Sequence, residues 1–148
     1  MIDIILLTLL FYFIQIPVPM IIGLANGIPT SYYFSSRDDI IKIPVLSERG
    51  IRAANNLRES LFIFIPLSIL SIILEIDTLM AATLWLVVRG VYLILYYLGA
   101  NSVRTITWFI SIICLIDMGI RIFKHAVYMI IINFLITNFT YIMDIKWN

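Results

Sequence analysis

Charge is what this chain of 148 residues has least of: 13% of its residues are Asp, Glu, Lys or Arg, against roughly a quarter in a soluble domain. So small a charged fraction cannot clothe a water-facing surface. With 62% hydrophobic residues and a mean hydropathy of +1.05, the chain reads as an integral membrane protein. The charges that remain nearly cancel, to a net +1, which argues against nucleic acid as a partner. Cysteine is also scarce. Cys114, alone in an apolar run, can form no internal disulfide and fits a small buried hydrophobe better than a reactive thiol. Lys and Arg are missing from the opening MIDIILL, where Asp3 is the sole charge. Without the basic region of a cleaved leader, the segment 2–24 is expected as a retained first span. No repeat or low-complexity tract breaks the chain, and residues 1–148 are expected to form one membrane domain.

What is present is a series of apolar runs. Spans are expected at about 2–24, 51–74, 79–98 and 103–122, the lengths a bilayer core of about 30 Å requires. Gln15, Pro17 and Pro19 lie within the first, and proline there removes backbone hydrogen bonds and kinks the helix. Residues 25–48 form a polar connection punctuated by Asn26-Gly27, Pro29 and Pro44, with Tyr32, Tyr33 and Phe34 as interfacial aromatics. Arg37, Lys42, Arg49 and Arg52 gather on this side, while the next connection offers Glu75 and Asp77. The positive-inside bias then puts the first loop in the cytoplasm and the N-terminus outside. Near the far end of the fourth span, Asp117 and Arg121 are spaced for an i, i+4 ion pair. Residues 126–143 form a further hydrophobic run, either a slightly short fifth span or a helix lying along the outer face. Its Asn133, Thr137 and Thr140 make a polar stripe suited to packing against another helix.

The segment 47–66, SERGIRAANNLRESLFIFIP, carries charge into the bilayer. The uncharged run 61–74 is too short to cross alone, so the second span borrows turns that hold Arg52, Asn56 and Glu59 on one face, with Arg49 a turn earlier. A charge at membrane depth costs about 2.5–3.5 kcal/mol at the centre unless it finds a partner. Arg89, in the third span, supplies one. Counted at about 1.5 Å per residue, Glu59 and Arg89 lie at similar depth, and Tyr92 and Tyr96 share the Arg89 face. An Arg89–Glu59 pair is therefore expected. Alone, it would read as a structural lock. Here Arg49, Arg52, Arg89 and Arg104 face the one carboxylate, and surplus guanidinium invites an anion, carboxylates in particular.

The run 49–59, RGIRAANNLRE, with RDD upstream at 37–39 and Arg89, Tyr92 and Tyr96 in the third span, resembles the signature of the MAPEG family, membrane-associated proteins in eicosanoid and glutathione metabolism, bacterial members included. The resemblance covers about residues 2–122. It implies an all-α, four-helix transmembrane bundle, here with an extra C-terminal hydrophobic helix, assembled as a homotrimer in a bacterial inner membrane. It implies glutathione as co-substrate, bound between subunits in the inner leaflet, and no metal. By position, Arg52, Asn56 and Glu59, with Arg49, would hold the tripeptide from the second span, and Arg89, Tyr92 and Tyr96 from the third. Arg104 would stabilise the glutathione thiolate, with the Thr105 hydroxyl nearby. Many relatives carry proline three or four residues after the glutamate, where this chain has Phe62 and Ile63.

Three functions follow as expectations. The first is a glutathione transferase or peroxidase acting on hydrophobic electrophiles delivered through the lipid. The second is a non-catalytic lipid-binding homologue on the same bundle. The third is a small proton-coupled exporter using Glu59, disfavoured because neighbouring arginines would hold the glutamate ionised and repel a cationic drug.

Overall fold

The computed structural model describes residues 1–36 and 41–147, with side chains as far as Asn138. The RDD motif at 37–39 therefore lies outside the described residues.

Every regular element among the described residues is helical. The first span is divided by Pro17 into α1 (Ile2–Gln15) and α2 (Val18–Ala25), the break expected where two prolines remove amide donors. A short helix, α3 (Thr30–Phe34), stands in the connection, where Tyr32 and Tyr33 meet edge to face at 5.3 Å. Three long helices follow: α4 (Val45–Ile73), α5 (Leu79–Leu98) and α6 (Asn101–Trp147). Among the described residues, four stretches are long and apolar enough to cross a membrane: Ile2–Ala25, Val45–Ile73, Leu79–Leu98 and Asn101–Asn138.

The turns have clear local causes. Glu75, at φ 54°, takes the left-handed position after α4 while the Ile76 amide donates to the Ser71 carbonyl. Gly99, at φ 77°, ends α5 in the same way, with the Ala100 amide donating to Leu95. The core forms where α4, α5 and α6 meet, around Leu57, Leu61, Phe64, Trp85, Leu115 and Met118. Phe64 and Trp85 stack at 4.1 Å, 7° from parallel. Cys114 is buried beside them, as a small hydrophobe would be.

The C-terminal hydrophobic helix is present, but it is not a separate fifth crossing or a helix turned along the surface. It continues α6 without a break. Residues 119–126 contain no proline, and the one glycine there, Gly119, stays helical, so nothing turns the chain back. The 47 residues of α6 extend about 70 Å at 1.5 Å per residue. Beyond Ile122 no residue through Asn138 is buried. Asn133 and Thr137 therefore do not face a second helix within the protomer, and the Thr137 hydroxyl donates to the Asn133 carbonyl of its own helix. The Thr140 side chain lies outside the described residues. The expected Asp117–Arg121 pair forms, at 2.8 Å.

α4 is pinned at its start. The Ser47 hydroxyl donates to the Pro19 carbonyl of α2, and Gly50 is buried where α2, α4 and α5 converge. A Cβ on Gly50 would run into the Tyr97 hydroxyl and lie 2.9 Å from Pro19. Gly50→Val is therefore expected to destabilise the bundle by about 1–3 kcal/mol through overpacking, measured as a lowered unfolding midpoint in detergent. Gly90→Val, with open space around its Cβ, should leave the midpoint close to wild type.

Candidate functional site

At about 100° per residue, Arg52, Asn56 and Glu59 fall within one narrow arc of α4. Packing of α4 against α5 and α6 turns that arc toward Tyr92 and the start of α6. Asn56, Tyr92, Arg104, Thr105 and Trp108 line a shared cleft of about 240 Å³. Four of these five are residues the sequence singles out. Arg104 lies over the Tyr96 ring, 4.3 Å from its centre, and Tyr96 meets Tyr92 edge to face at 5.5 Å.

Arg89 is the anchor of this group, with 3% of its surface exposed. Its Nη1 donates to Asn56 Oδ1 at 2.7 Å, and its guanidinium lies 5.6 Å from the Trp85 ring and 5.5 Å from that of Tyr92. Two aromatic faces and one amide oxygen thus replace part of the hydration a buried cation loses. Arg89 Nε has no hydrogen-bond partner among the described residues.

The expected Arg89–Glu59 pair does not form. Equal depth estimated by residue count is uncertain by a helical turn, and the α4–α5 packing brings Asn56, one turn back, opposite the guanidinium. Glu59 is exposed at the rim, and none of the described residues forms an ion pair with it. Buried as it is, Arg89 holds the Asn56 amide through that bond.

Two other arginines do not line the cleft. Arg49 donates through Nη1 to the Tyr97 carbonyl at 2.9 Å, and its guanidinium packs against Gly99, 2.7 Å from where a Cβ would stand. That contact places a cation on the last carbonyls of α5, where the helix dipole is negative. Arg52 is exposed and pairs along α4 with Glu48 at 3.3 Å, a link of little strength in water-accessible surroundings. The Thr105 hydroxyl donates to Asn101 at 3.0 Å and keeps its oxygen lone pairs at the cleft. Trp108 is the lining residue that sequence reasoning missed. Its i+4 spacing from Arg104 is the signal that places it on the same face.

Residues 4–124 match the model of the MAPEG family. No curated protein and no solved structure matches the chain. The matched region ends just after Ile122, the last buried residue of α6 among the described side chains, so the second half of that helix lies outside it.

The geometry separates two kinds of arginine. Arg49→Ala should lower the unfolding midpoint, by about 1–2 kcal/mol for a lost charge-assisted bond to a helix terminus. Arg52→Ala should leave the midpoint within about 0.5 kcal/mol of wild type. Thermal or denaturant unfolding of both variants in one detergent checks the contrast.

Proposed function

The chain belongs to the MAPEG family, an integral multi-pass membrane family, and on that membership and the α4–α5–α6 cleft we propose that it is a membrane-bound glutathione transferase or peroxidase acting on hydrophobic electrophiles. The observation that carries the reading is the convergence of Asn56, Tyr92, Arg104 and Thr105 on one cleft, beside a buried Arg89 that holds Asn56 in place.

In this reading Arg52 and Glu59, exposed at the rim on the Asn56 face, meet the carboxylate and ammonium ends of the tripeptide. Asn56, Tyr92 and Thr105 supply neutral hydrogen-bonding groups along its length. The cleft of about 240 Å³ is smaller than the roughly 300 Å³ at which ligand pockets begin, so one protomer provides one wall. An exposed Glu59 at membrane depth is also costly against lipid. Both points favour a neighbouring copy closing the site. The homotrimer is what the family resemblance implies, and the positive-inside bias orients the Arg49 end of the bundle toward the cytoplasm.

Arg104 is the group proposed to act on the sulfur. A guanidinium beside a thiol lowers its pKa and raises the fraction present as thiolate, the nucleophilic form. The proton leaves to water. With a carbon electrophile, the thiolate forms the C–S bond and the leaving group departs with its electron pair. With a hydroperoxide, the thiolate takes the terminal oxygen, the O–O bond breaks and the alkoxide is protonated. A second glutathione then displaces water from the resulting sulfenic acid to give the disulfide. Tyr96 keeps the Arg104 guanidinium over the cleft by stacking, and Trp108 adds an apolar wall for a lipid-borne acceptor.

Glutathione should bind the purified protein in nanodiscs, and Arg52→Ala should weaken it about tenfold, ~1.4 kcal/mol. Arg104→Ala should slow conjugation of a model aryl halide by about tenfold or more and reduce the thiolate ultraviolet absorbance of bound glutathione. Absence of both binding and conjugation in the wild-type trimer would overturn the proposal. Binding without conjugation, unaffected by Arg104→Ala, would assign the cleft to the non-catalytic alternative.

A further inference from the structure

Two charges of opposite sign stand side by side on the surface of α4. Arg58 and Glu59 are both exposed, inside a stretch long and apolar enough to cross a membrane. Among the described residues neither forms an ion pair. Consecutive residues of a helix point about 100° apart, so the two cannot face each other. They mark two flanks of the helix. Arg58 lines a cavity of about 300 Å³ beside α1 and α2, whereas Glu59 shares the arc of Arg52 and Asn56 on the side of the α4–α5–α6 cleft. The sector between them holds Ile51, Asn55, Phe62, Ile69 and Ile73, all exposed. It lies opposite the Leu57, Leu61 and Phe64 face that enters the core. Asn55, Phe62 and Ile69 recur every seven residues, the spacing of a seam along which helices pack.

Glu59 sets the demand for a cation. A carboxylate facing lipid at that depth is costly, and glutamate is too short to reach water as a long arginine stem can. Within the protomer the other nearby arginines are already held: Arg52 by Glu48, Arg49 by the Tyr97 carbonyl, Arg89 by Asn56 and Arg104 by the Tyr96 ring. Arg58 has no such hold among the described residues. A second copy brings the two charges together by symmetry. Copies related by rotation about the membrane normal keep each residue at its own depth, and one flank of α4 in one copy faces the opposite flank in the next. Arg58 and Glu59 differ in depth by about 1.5 Å and stand on opposite flanks of the seam, so the Glu59 of each copy meets the Arg58 of its neighbour.

We propose that copies of this chain associate along the exposed 51–73 seam of α4, with Arg58 of one copy paired to Glu59 of the next, so that each neighbour contributes a guanidinium at the rim of the cleft. The pair needs no bound guest and does not depend on the glutathione reading. It is compatible with that reading, since a carboxylate has about four acceptor positions and Glu59 keeps room for an ammonium group.

The test is self-association of the full-length protein in phosphatidylcholine vesicles without glutathione, read as energy transfer between donor-labelled and acceptor-labelled copies while the protein is diluted with lipid. Wild type should associate. Arg58→Glu and Glu59→Arg each set like charges across the seam and should weaken association about tenfold or more. The exchanged protein, Arg58→Glu with Glu59→Arg, restores opposite signs and should associate nearly as wild type does. In a Cys114→Ala background, Arg58→Cys in one tagged copy and Glu59→Cys in another should be joined by a short bis-methanethiosulfonate reagent. The proposal is overturned if wild type stays monomeric, if either single reversal associates as wild type does, if the exchanged protein is as weak as the single reversals, or if no cross-link joins the two tags. Circular dichroism identifies any reversal that fails to fold. Arg58→Gln, Glu59→Gln and their double variant then decide: each single change should weaken association and the second should add little to the first, whereas additive losses would overturn the pairing. A protein that associates in this way yet binds no glutathione would strike only the functional reading above.

Discussion

The bundle depends on one constraint: a guanidinium held inside it, with the Arg89 charge set against an amide oxygen from the next helix and two aromatic faces from its own. A buried cation is tolerated only where such groups replace the water it has lost. The requirement fixes the register of α5 against α4, because a shift of one turn would withdraw Asn56 and leave the charge without an acceptor. It also fixes the Asn56 side chain, and with it the edge of the cleft that Tyr92 and Arg104 complete. Stability and site geometry are here consequences of the same contact.

α4 distributes its polar residues by angle. One face carries Ser47, Asn55 and Arg58 to the cavity beside α1 and α2. A second carries Arg52, Asn56 and Glu59 toward α5 and α6. A third is apolar, and its Leu57, Leu61 and Phe64 enter the core. Arg49 belongs with neither of the two polar faces, since it bonds to the C-terminus of α5. Three arginines on one helix thus differ in surroundings, decided by their angular position and by what the neighbouring helices bring opposite them.

Much of this was legible before any coordinates. The apolar runs are bounded by turn residues whose chemistry is local, such as Gly99 with its positive φ, so the third span is found to the residue and the first within one. By contrast, α4 begins six residues before the expected second span and α6 runs 25 residues past the expected fourth. The grouping of Asn56 and Tyr92 with Arg104 and Thr105 was implied by the family resemblance, and the four share one cleft. The partner of Arg89 did not, because helix offset is set by side-chain packing such as the Phe64–Trp85 stack, which residue counting cannot see. The continuity of α6 was hidden for another reason. Arg121, Lys124 and His125 look like an interfacial boundary, yet nothing in 119–126 breaks a helix. The role of Arg49 was equally hidden, since capping of a distant helix leaves no local signature.

The Arg89–Asn56 contact is tested most directly by a double-mutant cycle on unfolding free energy in a membrane mimetic, using Asn56→Leu, Arg89→Leu and the double variant. If the amide compensates the buried charge, Asn56→Leu in the wild-type background destabilises far more than in the Arg89→Leu background, with a coupling of about 1–3 kcal/mol. Additivity within about 0.5 kcal/mol would contradict the account, because it would mean that the register of α4 on α5 and the placement of Asn56 owe nothing to that bond.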